Sequence, residues 1–140
     1  MAIRQLSVFM ENKKGSLHEI TDILAKNNID LRSMCIADTA DYGIVRIIAD
    51  DPEKALGILQ SSGHAANVRE VTAFAVPDCP GGLAKVLALL ENNGIDIEYL
   101  YALITTATDK AYAVMRTENC ATTEALLGSN GIELLEEPNI

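Results

Sequence analysis

The chain repeats itself. When the 140-residue sequence is shifted by 66, Gly15-Ser16-Leu17 falls on Gly81-Gly82-Leu83, and Ile29-Asp30-Leu31 falls on Ile95-Asp96-Ile97. The same shift brings Ile20 onto Val86, Ile23 onto Leu89, Leu24 onto Leu90 and Asn27 onto Asn93. Past residue 42 the shift becomes 68, pairing Ile47 with Met115, Leu59 with Leu127 and Gly63 with Gly131. The change of two places a short insertion around Thr106 to Asp109, where a hairpin turn tolerates it. Coinciding apolar positions and glycines imply two copies of one folding unit, 1–71 and 72–140. Units this small bury a modest share of their surface and lean on a neighbour, so self-association, most simply as a homodimer, is expected.

Each copy reads as strand, helix, strand, strand, helix, strand. Leu6, Val8 and Met10 alternate as in a half-buried strand. Ser16, with Glu19 three positions later, has the form of a capping box, and Leu17, Ile20, Ile23 and Leu24 line one helix face until Asn27-Asn28. Residues 31–37 and 43–49 form a hairpin around Asp38 to Asp41. A second helix runs from Pro52 to Ser62 with Gly63 as its stop, and a fourth strand covers 66–71. The second copy follows suit: a strand through Thr72, Phe74 and Val76, a helix over 82–92 ended by Asn93-Gly94, and a hairpin of 95–104 with 111–116. A helix over 121–129 and a strand over 132–135 complete it. This order predicts α+β architecture: two ferredoxin-like units, each a four-stranded antiparallel sheet with both helices on one face. No Pro- or Gly-rich linker separates the copies, so rigid coupling is expected. The helix from Gly82 also carries Ala84, Leu87 and Ala88 beside its main apolar stripe, which predicts contact with another helix.

Charge and composition exclude several functions. A net charge of −9 repels phosphate backbones, and a chain with two Phe, four Tyr and no Trp has few stacking platforms, so nucleic acid is a poor partner. No apolar run approaches the roughly 20 residues that span a bilayer, and the start at Ile3 to Val8 lacks signal-peptide character. Three cysteines, Cys35, Cys79 and Cys120, contain no Cys-x-x-Cys pair, which fits a reduced, cytoplasmic protein. Membrane association is not expected.

The informative segments join a strand end to a helix start. They are Glu11-Asn12-Lys13-Lys14-Gly15-Ser16-Leu17 and Pro77-Asp78-Cys79-Pro80-Gly81-Gly82-Leu83. Glycine at such a junction lets a ligand approach the backbone, and first-turn N–H groups favour a carboxylate. Asn12 and Asp78 offer acceptors for an ammonium group, so the pairing suits a zwitterion. The same residues also fit a plain tight turn with a helix cap.

The segment from Val76 to Val86, followed by Asn93-Gly94-Ile95-Asp96-Ile97, resembles the ACT domains of aspartate kinases, which carry an Asp-x-Pro-Gly turn and a Gly-Ile-Asn-Ile-like strand. Asn12 to Leu17 is similar to the Asn-x-Pro-Gly-x-Leu turn in ACT domains of phosphoglycerate dehydrogenases. The resemblance implies an amino-acid sensor with effectors held at the strand-to-helix loops. By that analogy Asn12 and Asp78 take the ammonium position, and Gly15, Ser16, Leu17, Gly81, Gly82 and Leu83 present backbone to the carboxylate, with Cys79 and Pro80 completing the second turn. Two departures stand out: Lys14 replaces the usual proline, and Asp30 and Asp96 replace the frequent asparagine, with Ile95 beside Asp96. The aspartates place negative charge that favours a ligand with a cationic group.

Other candidates have ordinary readings. Cys79 before a helix start has the setting of a reactive thiol, but the family turn accepts many residues there. His18 and His64 join no Cys or Asp at ligand spacing, so a metal site is not expected. No Gly-x-Ser-x-Gly, phosphate-loop or dinucleotide fingerprint occurs, so neither a cofactor nor an enzymatic activity is expected. Two functions remain: a binding module that senses a small-molecule effector, or a regulatory subunit that docks an enzyme through sheet edges and helices.

Overall fold

A computed structural model describes residues 2–38, 41–104 and 110–137. Two compact units are present: residues 4–69, and residues 70 onward together with the first three. In chain order the elements are β1 (Ile3–Glu11), α1 (Ser16–Lys26), β2 (Leu31–Asp38), β3 (Tyr42–Ala49), α2 (Pro52–Ser61) and β4 (Ala66–Pro77). Then come α3 (Gly82–Asn92), β5 (Ile97–Leu103), β6 (Lys110–Thr117), α4 (Cys120–Ser129) and β7 (Leu134–Leu135). The predicted α+β plan is the observed one. In place of the two strands expected around Val71, a single 12-residue strand, β4, runs through the boundary. The insertion at 106–109 lies outside the described residues.

Within the first unit the strand order is β2-β3-β1, with β1 bonded on its far side by Phe9 N–H to Ala65 O at 2.9 Å. Within the second it is β7-β4-β6-β5, with Ala75 N–H to Glu133 O at 2.9 Å in the matching place. The registers also correspond: Leu6 faces Ile47 and Val8 faces Val45, while Thr72 faces Met115 and Phe74 faces Ala113. The core of the first unit gathers Val8, Ile20, Leu24, Val45, Ile47 and Leu59. That of the second gathers Phe74, Val86, Leu90, Ala113, Met115 and Leu127. Volume is exchanged across the strand pair. The larger Phe74 sits opposite the smaller Ala113 where the first unit has Val8 against Val45.

All four helices end alike. A residue of positive φ (Asn28, Gly63, Gly94 or Gly131) follows the cap, and the next N–H returns to a carbonyl of the last turn. Ile29, His64, Ile95 and Ile132 donate to Leu24, Leu59, Leu90 and Leu127 at 3.0 Å, the bond of a Schellman ending. This bond shifts two predicted strand starts. Ile95 and Ile132 are still tied to their helices, so β5 begins at Ile97 and the last strand pairs only over Leu134–Leu135.

Helix starts come in two kinds. The Asp51 side chain accepts from Lys54 N–H at the start of α2, and Asn119 accepts from Thr122 N–H at the start of α4, both at 3.0 Å. α1 and α3 have no side-chain cap. The capping box expected at Ser16 and Glu19 is therefore absent. Gly15 at φ 87° occupies the N-cap, and Ser16 is already the first helical residue and buried. With glycine at the N-cap there is no side chain at that position to accept from the first-turn donors.

Candidate functional site

The two strand-to-helix turns are built alike. Lys13 N–H donates to Glu11 O at 2.9 Å and Ser16 N–H to Lys13 O at 3.2 Å. Likewise Cys79 N–H donates to Pro77 O at 2.9 Å and Gly82 N–H to Cys79 O at 3.1 Å. Lys14 in place of Pro80 thus leaves the backbone bonding pattern unchanged. Gly15 and Gly81 have φ of 87° and 85°, a conformation open mainly to glycine. At the next position the copies diverge. A Cβ on Gly82 would collide with Pro77 O, whereas Ser16 accommodates its side chain. Asn12, Lys14, Asp78, Cys79 and Pro80 are exposed, Leu17 packs against the first core, and Leu83 is 36% exposed. Each turn thus presents exposed polar side chains beside a helix start with no side-chain cap.

Asp30 and Asp96 lie elsewhere in their units. Each follows its helix, and α1 and α3 are 11 residues long, so about 16 Å of helix separates these aspartates from the turns. Asp30 pairs with Arg32 at 3.1 Å, and its backbone N–H donates to Asp50 Oδ1 at 3.0 Å. Ile95 and Asp96 border a cleft of about 180 Å³ with Thr117, Asn119 and Thr123. Within one unit these aspartates therefore do not share a site with the turn that precedes them.

Beside the turn of each unit lies a concavity that sequence reasoning missed, backed by the connection between the unit's second helix and last strand. In the first, a cleft of about 230 Å³, open to solvent on one side, is lined by Phe9, Met10, Glu11, Lys13, Ser16, Glu19 and His64. In the second, about 420 Å³ is enclosed by Ala75, Val76, Val86, Lys110, Ile132 and Glu133, with Lys110 and Glu133 paired at 2.5 Å. The repeat itself carried the signal, because Phe9, Met10, Gly63 and His64 align with Ala75, Val76, Gly131 and Ile132. Among the described residues no group of three or more His, Cys, Asp or Glu is placed to hold a metal. No described helix is long and apolar enough to cross a membrane.

The sequence model of the family described as ACT domain pair matches residues 1–140. A solved protein of Bacteroides thetaiotaomicron is 40% identical, with a TM-score of 0.93 over 99% of this chain and 95% of that one. The regulatory subunit of aspartate kinase from Thermus thermophilus shares 14% identity and a TM-score of 0.67, covering 90% of this chain and 91% of that one. The corresponding subunit from Thermus flavus shares 15% identity and a TM-score of 0.62 over 90% of each chain. At those identities the two subunits show likeness of fold. Among curated proteins, none matches the chain.

Proposed function

Because the chain belongs to the family of ACT domain pairs, we propose that it is an amino-acid-binding regulatory protein without catalytic activity of its own, residues 1–71 and 72–140 serving as its two sensing units. One observation carries this reading. In each copy the second helix is closed by an Asp or Asn side chain, while the first helix, at the turn with the positive-φ glycine, has no side-chain cap. An α-carboxylate supplies the missing acceptor, favoured by the partial positive charge of the helix start. Asn12 and Asp78, exposed at the same turns, receive the ammonium group. Regulatory subunits of aspartate kinase share this fold, which supports a role in which effector binding is relayed to an enzyme. The exposed Leu83, Ala84 and Ala88 on α3 offer the face for a homodimer.

A thermal-shift panel of the twenty amino acids tests the reading. An effector at 100 times its dissociation constant adds about 2.7 kcal/mol to stability if it binds only the folded state. The gain is lost in Asp78→Ala if the second turn holds the ligand. A flat panel on folded protein, with stoichiometric co-purification of an enzyme, would replace this reading by that of a docking subunit with no effector.

A further inference from the structure

The first-unit cavity contains a polar atom with nothing to bond. His64 Nε2 is wholly buried and makes no hydrogen bond among the described residues, although the side chain as a whole is 16% exposed. The nearest charged group is Glu19, whose Oε1 stands 3.9 Å away, beyond hydrogen-bond reach. A buried imidazole nitrogen without a partner is costly. In the tautomer with its proton on Nδ1, Nε2 is an acceptor, and at this spacing it and Glu19 Oε1 leave room for one donor atom that bonds both.

We propose that this cavity, which borders the first turn through Glu11, Lys13 and Ser16, binds a primary alkylammonium group held between Glu19 Oε1 and His64 Nε2. An ammonium carries three donors, so one atom can serve both acceptors and keep a proton for a third. The surrounding charges favour a cation: Glu11 and Glu19 face the cavity against a single Lys13, whose Nζ is already paired with Glu11 at 3.0 Å. Met10, on the core-facing side of β1, offers an apolar surface for the attached carbon chain. Water can satisfy the same two groups; about 230 Å³, several times the roughly 30 Å³ of one water, leaves room for a carbon chain beyond the ammonium. The second unit supplies an internal contrast. Its aligned positions are Ile132 for His64 and Lys85 for Glu19, which remove both acceptors and add a positive charge. The ammonium site therefore belongs to the first copy alone.

The test follows the imidazole nitrogens of His64 by NMR in one fixed buffer, with n-butylammonium chloride as probe and sodium butyrate and sodium chloride as controls. The expected result is a saturable shift of His64 Nε2 with butylammonium only, while His18 stays unmoved. Glu19→Gln, an exposed and structurally mild change, weakens the apparent affinity about tenfold, and His64→Ile, which installs the second copy's residue, abolishes binding. A His64 shift with butyrate instead would overturn the proposal in favour of an anion site. No shift with either salt on folded protein would leave a bridging water only and equally overturn it, as would unchanged affinity in Glu19→Gln. The cavity shares Glu11, Lys13 and Ser16 with the first turn, so the proposed effector is read separately at the second turn, at the amides of Leu83 and Ala84.

Discussion

The two copies agree in backbone and differ in what they enclose. Their turns share the same hydrogen bonds and the same left-handed glycine, and their cores occupy matching positions. Their interior polar groups do not match. Thr117 and Thr123 form a buried hydroxyl pair at 2.7 Å in the second unit, where the first has Ala49 and Ala55, both buried. Conversely, His64 and Glu19 edge a polar cavity in the first unit where the second has Ile132 and Lys85. Positions that set the chain's path are held in common, whereas positions that set the chemistry of an enclosed space have diverged. Such a pattern suits a duplicated fold whose copies respond to different chemical groups.

The strongest check on the equivalence of the cores is truncation of their aligned leucines. Leu24→Ala and Leu90→Ala, both fully buried, should each destabilise by about 2–5 kcal/mol in urea unfolding. A much smaller loss at one of them would break the comparison. The turns should respond unequally at the next residue. Gly82→Ala forces a Cβ against Pro77 O and should cost about 2–3 kcal/mol, whereas Ser16→Ala in the other copy should cost well under half of that. Equal effects would mean that the second turn can relax where the first does not need to.

The threonine pair gives a smaller, sharper contrast. Thr123 donates to Asn119 O at 3.1 Å, so Thr117 donates to Thr123. Thr123→Ala leaves the Thr117 hydroxyl buried and unmatched, at a cost of about 1–3 kcal/mol. Adding Thr117→Ala, which copies the first unit's alanines, should recover part of the loss, as a double-mutant cycle in thermal unfolding will read. The smallest effect lies at the exposed Asp22–Lys26 pair of α1, 2.6 Å apart, which has no counterpart in α3. The hydrogen bond from Lys26 holds the Asp22 carboxyl below its ordinary value of 3.8. A depressed carboxyl pKa contributes stability above the unfolded value and loses it as pH falls through the folded one. Asp22→Asn should therefore lower stability slightly at neutral pH and leave it unchanged in strong acid.

Most of this architecture is legible in the repeat. Ile20 and Ile47 face the first core, and their counterparts Val86 and Met115 face the second, because periodicity reports which side of an element is buried. What periodicity does not report is local bonding. Ser16 and Glu19 have the letters of a capping box, yet the φ of Gly15 moves Ser16 one position into the helix. Ile95 and Ile132 look like strand residues but answer first to the helix endings behind them. The turns are readable because glycine at a junction implies backbone geometry. The cavity beside His64 is not, since its walls come from β1, α1 and the α2–β4 connection, segments far apart in the chain. Resemblance groups Asp30 and Asp96 with the turns, and the helix length separates them within each unit.

The central claim is that the uncapped helix starts hold the effector's carboxylate. Amide NMR with the amino acid giving the largest thermal shift tests it most directly. Saturable shifts are expected at Leu17 and His18, or at Leu83 and Ala84, with Lys54 and Thr122 at the capped starts unmoved. Saturable binding that leaves all four of those turn amides in place would contradict it.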